Sequence, residues 1–351
     1  MVVDVCLMTP NLDHILMKLY RTMGLKIWIA VSIAGVSVLY MMYREPDLTP
    51  KLLEWRKGGQ CMQYKGYDIF YRVEAGRYKD KGTLLCLHGF PTSSYDWTKI
   101  LEDLKDQFSQ IILYDYIGFG LSDKPKYHAY SIMEQADIGE SVLSLLGVKK
   151  VHLLAHDYGD TVALELLARY NNKEDVDRTP VIQSLCLTNG GIFPETNFPR
   201  PVQKILLYPY IGPVVSRLTN FLMFSRGFGE IFGPESKPSK EELWDFYVLN
   251  VHKGGHIISY RLIQYITERT KYKDRWVGAL KNTNVTVHMI YGPSDPVNPD
   301  SFIDFYKKTV PQHGISVLDS KIGHYPQWEA PIEFLNAYSD FTERILSHTE
   351  H

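Results

Sequence analysis

Cysteine is scarce in this chain. Four in 351 residues, Cys6, Cys61, Cys86 and Cys186, carry no metal-type spacing and are too few for a disulfide-stapled scaffold. Cys86 and Cys186 fall inside apolar, strand-like runs, where cysteine serves as a small core side chain. An excess of charge is missing too. Lys and Arg number 38 against 40 Asp and Glu, a net charge of −2, and the basic residues are scattered without a stripe. That excludes nucleic acid as an expected partner. Repeats and low-complexity tracts are absent, which removes solenoids and disordered arrays. No metal and no cofactor is expected. With 45% apolar residues, what remains is an ordinary globular composition around one principal core.

The chain does hold one informative turn. The segment Ala155-His156-Asp157-Tyr158-Gly159-Asp160 follows the apolar run Val151-His152-Leu153-Leu154 and precedes Thr161 to Leu167, which reads as a helix. A strand, a sharp turn with one reactive side chain at its apex, and a helix make a nucleophile elbow. The apex here carries aspartate where serine is more usual. Serine must lose a proton to attack, whereas a carboxylate is ionised near neutral pH and attacks a saturated carbon directly. Asp at a strand end is also a common helix N-cap, so further segments must agree.

Four do. Gly82 to Leu87 is an apolar strand ending in His88-Gly89-Phe90-Pro91. Tyr114 to Ser122 leaves a strand into a glycine-containing turn, and Val285 to Tyr291 runs into Gly292-Pro293-Ser294-Asp295. Ile315 to Leu318 leads into Gly323-His324-Tyr325-Pro326. The order along the chain is nucleophile, acid, histidine. On these residues the chain resembles the α/β-hydrolase superfamily in its epoxide-hydrolase and haloalkane-dehalogenase branch. The strings His88 to Trp97, Ser122 to Pro125 and Asn189 to Thr196 carry the likeness, which covers everything after Met62. It implies an α/β-hydrolase fold, a mostly parallel sheet with helices on both faces, an inserted helical cap and an endoplasmic reticulum membrane location. Two departures stand out. Tyr158 and Phe90 replace the Trp and Asn with which dehalogenases hold halide, which disfavours dehalogenation. Ala155 stands where the elbow usually has Gly, a small intrusion that the turn is expected to survive.

One long uncharged run is present. Ile27 to Tyr43 is mostly apolar, bracketed by Lys26 and Arg44, with Trp28, Tyr40 and Tyr43 near its ends. At about 17 residues it sits at the short edge of the spanning range and suits the thinner endoplasmic reticulum bilayer. It reads as an N-terminal transmembrane helix, with a soluble core helix as the alternative. The resulting layout is an N-terminal segment 1–26, an anchor 27–43, a linker 44–61, a first α/β-hydrolase core segment 62–189, a helical cap 190–280 and a second core segment 281–351. Strands are predicted near 83–88, 110–115, 150–156, 181–188, 286–291 and 314–318. Helices are predicted near 131–146, 159–170, 300–309 and 331–348. Together the cap's many aromatics suggest an apolar tunnel for a lipophilic small-molecule substrate, although for each one ordinary packing is the better reading.

The expected site follows. Asp157 is the nucleophile, His324 the base, Asp295 its orienting acid, and the backbone N–H groups of Phe90 and Tyr158 the oxyanion hole. Epoxide opening also needs a proton donor. The cap offers Tyr265, Tyr260 and Tyr247, the first two on a helix-like segment from His256 to Glu268. The tyrosine that epoxide hydrolases usually carry just after the cap exit is absent. A lipid acyl hydrolase or acyltransferase, and a silent binding protein on a hydrolase fold, remain as rivals.

Overall fold

The computed structural model describes residues 12–175 and 178–349. It divides into two units, Met1–Arg44 and Glu45–His351. In the first, Leu12–Tyr43 forms one helix. Side chains at 38, 39 and 41–43, which belong to the expected anchor, lie outside the described residues, as does 1–11 of the N-terminal segment. Among the described residues no helix is long and apolar enough to cross a membrane.

The second unit is built on an eight-stranded sheet. Its strands are β1 (Gln60–Tyr64), β2 (Tyr67–Ala75), β3 (Thr83–Leu87), β4 (Gln110–Tyr114), β5 (Lys150–Ala155), β6 (Val181–Thr188), β7 (Thr286–Tyr291) and β8 (Gly314–Val317). Their spatial order is β1-β2-β4-β3-β5-β6-β7-β8. β2 runs antiparallel to both neighbours, and the strands from β3 to β8 are mutually parallel. The β1–β2 hairpin turns through Lys65 and Gly66, both at positive φ (49° and 86°), which matches the twist of the flanking strands. The central strands carry apolar residues on both faces. Leu84, Leu85, Cys86 and Leu87 are fully buried, as parallel strands covered by helices on two sides must be. Each such leucine contributes about 1.5–3 kcal/mol of burial.

Capping sets where the covering helices begin. Ser131 Oγ accepts from the Glu134 N–H at 3.2 Å, opening the helix Ile132–Leu145. The helices Tyr158–Asn172, Ser301–Thr309 and Pro331–Thr349 complete the predicted core set. The linker expected over 44–61 is structured in its second half. The stretch holds Pro46 and Pro50 and reads as a connector, yet Pro50 is the first residue of a helix, Pro50–Lys57, capped by Thr49. Proline suits that position because the first N–H of a helix has no partner to lose. Leu52 and Trp55, one turn apart, bury against the core, and β1 starts at Gln60.

Between β6 and β7 the chain leaves the sheet for a helical cap: Pro201–Leu206, Gly212–Leu218, Phe221–Gly229, Lys240–Val251, Ser259–Leu262 and Tyr265–Lys271. Two expectations change here. The segment His256–Glu268 is not one helix. Lys253 and Gly254 at positive φ kink its entry, and i→i+3 bonds from Gln264 to Arg261 and from Ile266 to Ile263 tighten the chain, so Tyr260 and Tyr265 stand on separate helices. The last cap helix by sequence, Lys273–Asn282, instead covers the core. Trp276 Nε1 donates to Glu165 at 2.9 Å and Asn171 donates to the Ala279 carbonyl at 2.9 Å, both across to the helix Tyr158–Asn172.

Candidate active site

β5 ends at Ala155 and the next helix starts at Tyr158, leaving two residues to reverse the chain. Asp157 takes the strain at φ 47° and ψ −101°, a conformation that costs on the order of 1–3 kcal/mol. Close packing holds it there. A Cβ on Gly159 would sit 2.2 Å from the Leu87 carbonyl oxygen, so β3 and the elbow meet through glycine at this point, while Ala155 fits without exposure. The elbow survives the Ala155 substitution, as expected.

β7 and β8 deliver the other two side chains. His324 Nδ1 lies 2.8 Å from Asp295 Oδ2, and a carboxylate oxygen accepts only, so Nδ1 carries a proton and, in the neutral ring, Nε2 presents a lone pair. Nε2 stands 3.9 Å from Asp157 Oδ1. The other Asp157 oxygen, Oδ2, accepts from the Phe90 N–H at 3.1 Å. Tyr158 opens the helix, where backbone N–H groups lack partners in the helix itself. Asp157, Asp295 and His324 are each 2% exposed.

Burial alone would push His324 down, but the Asp295 charge and hydrogen bond, with help from Asp157, outweigh it and hold the imidazole above its ordinary range. Burial likewise raises Asp295, and His324 together with donors from Asn189 and the Val297 N–H brings it below the ordinary carboxylate value. Burial takes His88 and His156 down to about 3 each, although His156 Nδ1 lies 3.9 Å from Asp96 Oδ2, so both are neutral. His156 Nε2 donates to the His324 carbonyl at 2.8 Å and fixes that turn.

Several residues of this site were not legible in sequence. Asn189 and Asn298 each donate to Asp295 Oδ2 at 3.0 Å. Arg269, 3% exposed, is the larger omission. Its Nε donates to Thr161 Oγ1 at 2.8 Å, and its Nη2 donates to the Asp157 carbonyl at 3.0 Å and approaches Asp157 Oδ1 at 3.4 Å. In the string Glu268-Arg269-Thr270-Lys271 it reads as a solvated charge. The one available signal was its position four residues after Tyr265, which puts the two on one helix face. The guanidinium indeed lies 4.5 Å from the Tyr265 ring centre.

Of the three candidate cap tyrosines, only Tyr265 reaches the site. It is buried against Tyr158 and Phe90, with ring centres 4.9 and 5.8 Å away, and burial followed by the Asp157 charge raises its hydroxyl well above the ordinary value. Tyr260 accepts from Arg261 Nε at 2.9 Å, and Tyr247 packs among Phe221, Phe224 and Trp244 within the cap. A mostly apolar cavity of about 450 Å³ runs from the cap to Phe90 and His324, walled by Leu206, Phe224, Phe228 and Ile231, with Asn250, Ser259 and the charged Arg200, Arg226 and Glu230 also in its lining. A second cleft, about 520 Å³, is lined by paired charges such as Arg169 with Glu140 and contains none of the site residues.

Sheet order, elbow, histidine loop and inserted cap together define a class, the α/β-hydrolases. Residues 82–331 match the alpha/beta hydrolase fold family, and the chain belongs to it. Within that class it is similar to the mesoderm-specific transcript protein of Mus musculus, 46% identical over 320 residues that cover 90% of this chain and 95% of that protein. It is also 36% identical to the putative hydrolase LipZ of Mycobacterium tuberculosis over 291 residues, 82% of this chain and 97% of the relative. Among solved structures, the epoxide hydrolase CorEH shares the fold, with a TM-score of 0.64 at 19% identity over 82% of this chain and 99% of that one.

Proposed function

We propose that this chain is a membrane-anchored hydrolase that opens a lipophilic epoxide through an ester formed on Asp157. The observation that supports this most is the elbow itself, where an aspartate replaces serine with Oδ2 on the Phe90 N–H and Oδ1 turned toward His324. In the first step Asp157 attacks an epoxide carbon, the C–O bond breaks, and Tyr265 gives its phenolic proton to the leaving alkoxide. Arg269 beside the ring offsets the charge left on the phenolate. In the second step His324 Nε2 takes a proton from water and hydroxide adds to the Asp157 carbonyl carbon. The oxyanion rests on the N–H groups of Phe90 and Tyr158, and collapse releases a diol. The proton on His324 returns to Tyr265 through solvent, restoring the starting state.

The apolar cavity, the epoxide-hydrolase fold of CorEH and the hydrolase name of LipZ favour hydrolysis of an apolar substrate. Anchoring in the endoplasmic reticulum membrane by residues 27–43 belongs to the same proposal. It rests on an uncharged run whose Trp28, Ile29, Ile33 and Val36 are all exposed. The test is His324→Gln, which leaves attack intact and removes the base. Offered a panel of lipophilic epoxides, the variant gains the mass of one substrate on the peptide containing Asp157. A labelled serine with a fluorophosphonate, and no mass on Asp157, would place the chain with the acyl hydrolases instead.

A further inference from the structure

The cap carries an apolar surface that its own packing leaves uncovered. Ile211, at the start of the helix Gly212–Leu218, and Val214 and Leu218 within it follow helical spacing along one face, and each is at least half exposed. Leu222, on the next helix, is 75% exposed, and Tyr210, on the turn before, is 89% exposed. Single exposed apolar residues are ordinary, but a contiguous group of this kind marks a docking site. Two of its neighbours also line the cavity that leads to His324: Val202 and Met223 are 44% and 47% exposed. The surface is therefore continuous with the mouth of the substrate cavity.

Charge decides what covers it. Over residues 197–230 the chain has four basic side chains, Arg200, Lys204, Arg217 and Arg226, and one acidic, Glu230. Glu230 pairs with Arg200 at 3.1 Å and with Arg226 at 3.8 Å, leaving Lys204 and Arg217 beside the apolar face without an acidic partner on this stretch. A second copy docked by two-fold symmetry would bring this positive surface against itself. Apolar side chains with tyrosines at the edge and basic residues around them match the layered chemistry of a bilayer interface, where each Lys or Arg near anionic headgroups adds about fivefold to binding.

We infer that this face of the cap docks on an anionic membrane surface, so that the cavity opens into the bilayer and takes its substrate from there. The inference builds on the proposed apolar substrate but not on which bond is broken at Asp157, because docking is read without turnover. The experiment is hydrogen exchange on the full chain in phosphatidylcholine nanodiscs, with and without about a third phosphatidylserine. Exchange over 201–229 is expected to slow at least fivefold when phosphatidylserine is present. The Lys204→Gln/Arg217→Gln variant, altered only at exposed positions, is expected to lose that slowing, and Leu218→Asp/Leu222→Asp to lose it as well. Equal exchange in the two discs overturns the inference. So does protection that appears without lipid and rises with protein concentration, which would make the face an interface between copies.

Discussion

Replacing Asp295 by Asn tests the histidine arrangement without any substrate. Every group that touches the Asp295 carboxylate is a donor: Asn189, Asn298 and His324 on Oδ2, and the Val297 N–H at 2.7 Å on Oδ1. An amide has one acceptor and one donor side, so in either orientation its NH2 faces a donor, and a buried group loses its partner at about 1–3 kcal/mol. That cost is present at all pH values. A second cost depends on pH. His324 sits above its ordinary 6.5 in the folded chain, so its stabilisation is complete below pH 6.5 and fades as pH rises through the folded value. Asp295 sits below its ordinary 3.8, so its contribution persists above pH 3.8 and is lost as pH falls through the folded value. Both contributions coexist between those limits. In Asp295→Asn burial is opposed only by the weaker pull of Asp157 and Glu329 on His324, and protonating it then opposes folding. The variant is expected to lose about 1–3 kcal/mol at pH 8.5, rising to about 3–5 kcal/mol at pH 5.5, where a buried ion pair has been broken. Denaturant unfolding of both proteins at the two pH values reads this directly. An equal loss at both, or a larger one at pH 8.5, would refute the assignment of a charged pair.

Arg269→Met is expected to cost about 3–5 kcal/mol by leaving the buried Asp157 carboxylate without its cation, and most of that loss should return in Arg269→Met/Asp157→Asn, both read from denaturant midpoints. Gly159→Ala drives a methyl into the Leu87 carbonyl oxygen and is expected to lower the melting temperature by an amount equal to at least about 1–3 kcal/mol, whereas the same change at Gly24 has no neighbour to strike. Tyr265→Phe should slow formation of the Asp157 ester by about 10²–10⁴ and leave its hydrolysis unchanged, which rapid-quench kinetics with a reactive epoxide separates.

The elements of the fold that sequence exposed are those fixed by local pattern. β3, β5 and β7 are short apolar runs ended by His88, Asp157 and the Gly292 turn, so each strand and the residue it delivers could be read together. Asp157, Asp295 and His324 were legible because each lies in a turn at a strand's carboxyl end. What was hidden depends on distant packing. Arg269 looks like surface charge until the cap folds it onto the elbow, and Asn189 and Asn298 gain meaning only once β6 and β7 lie side by side. Tyr260 and Tyr265 were placed on one helix because apolar spacing does not register the tightened turn at 263–264. Pro50 misled for a similar reason, since only Thr49 capping Leu52 reveals that the proline begins a helix rather than breaking one.

The central claim is that Asp157 itself forms a bond to substrate. One turnover of the full chain with a lipophilic epoxide in oxygen-18 water, followed by mass spectrometry of the peptide containing Asp157, tests it most directly. The account predicts heavy oxygen in the Asp157 carboxylate and ordinary oxygen in the diol, because hydroxide enters at the ester carbonyl. Label in the diol with an unlabelled Asp157 would mean that water attacks the substrate directly, and would contradict it.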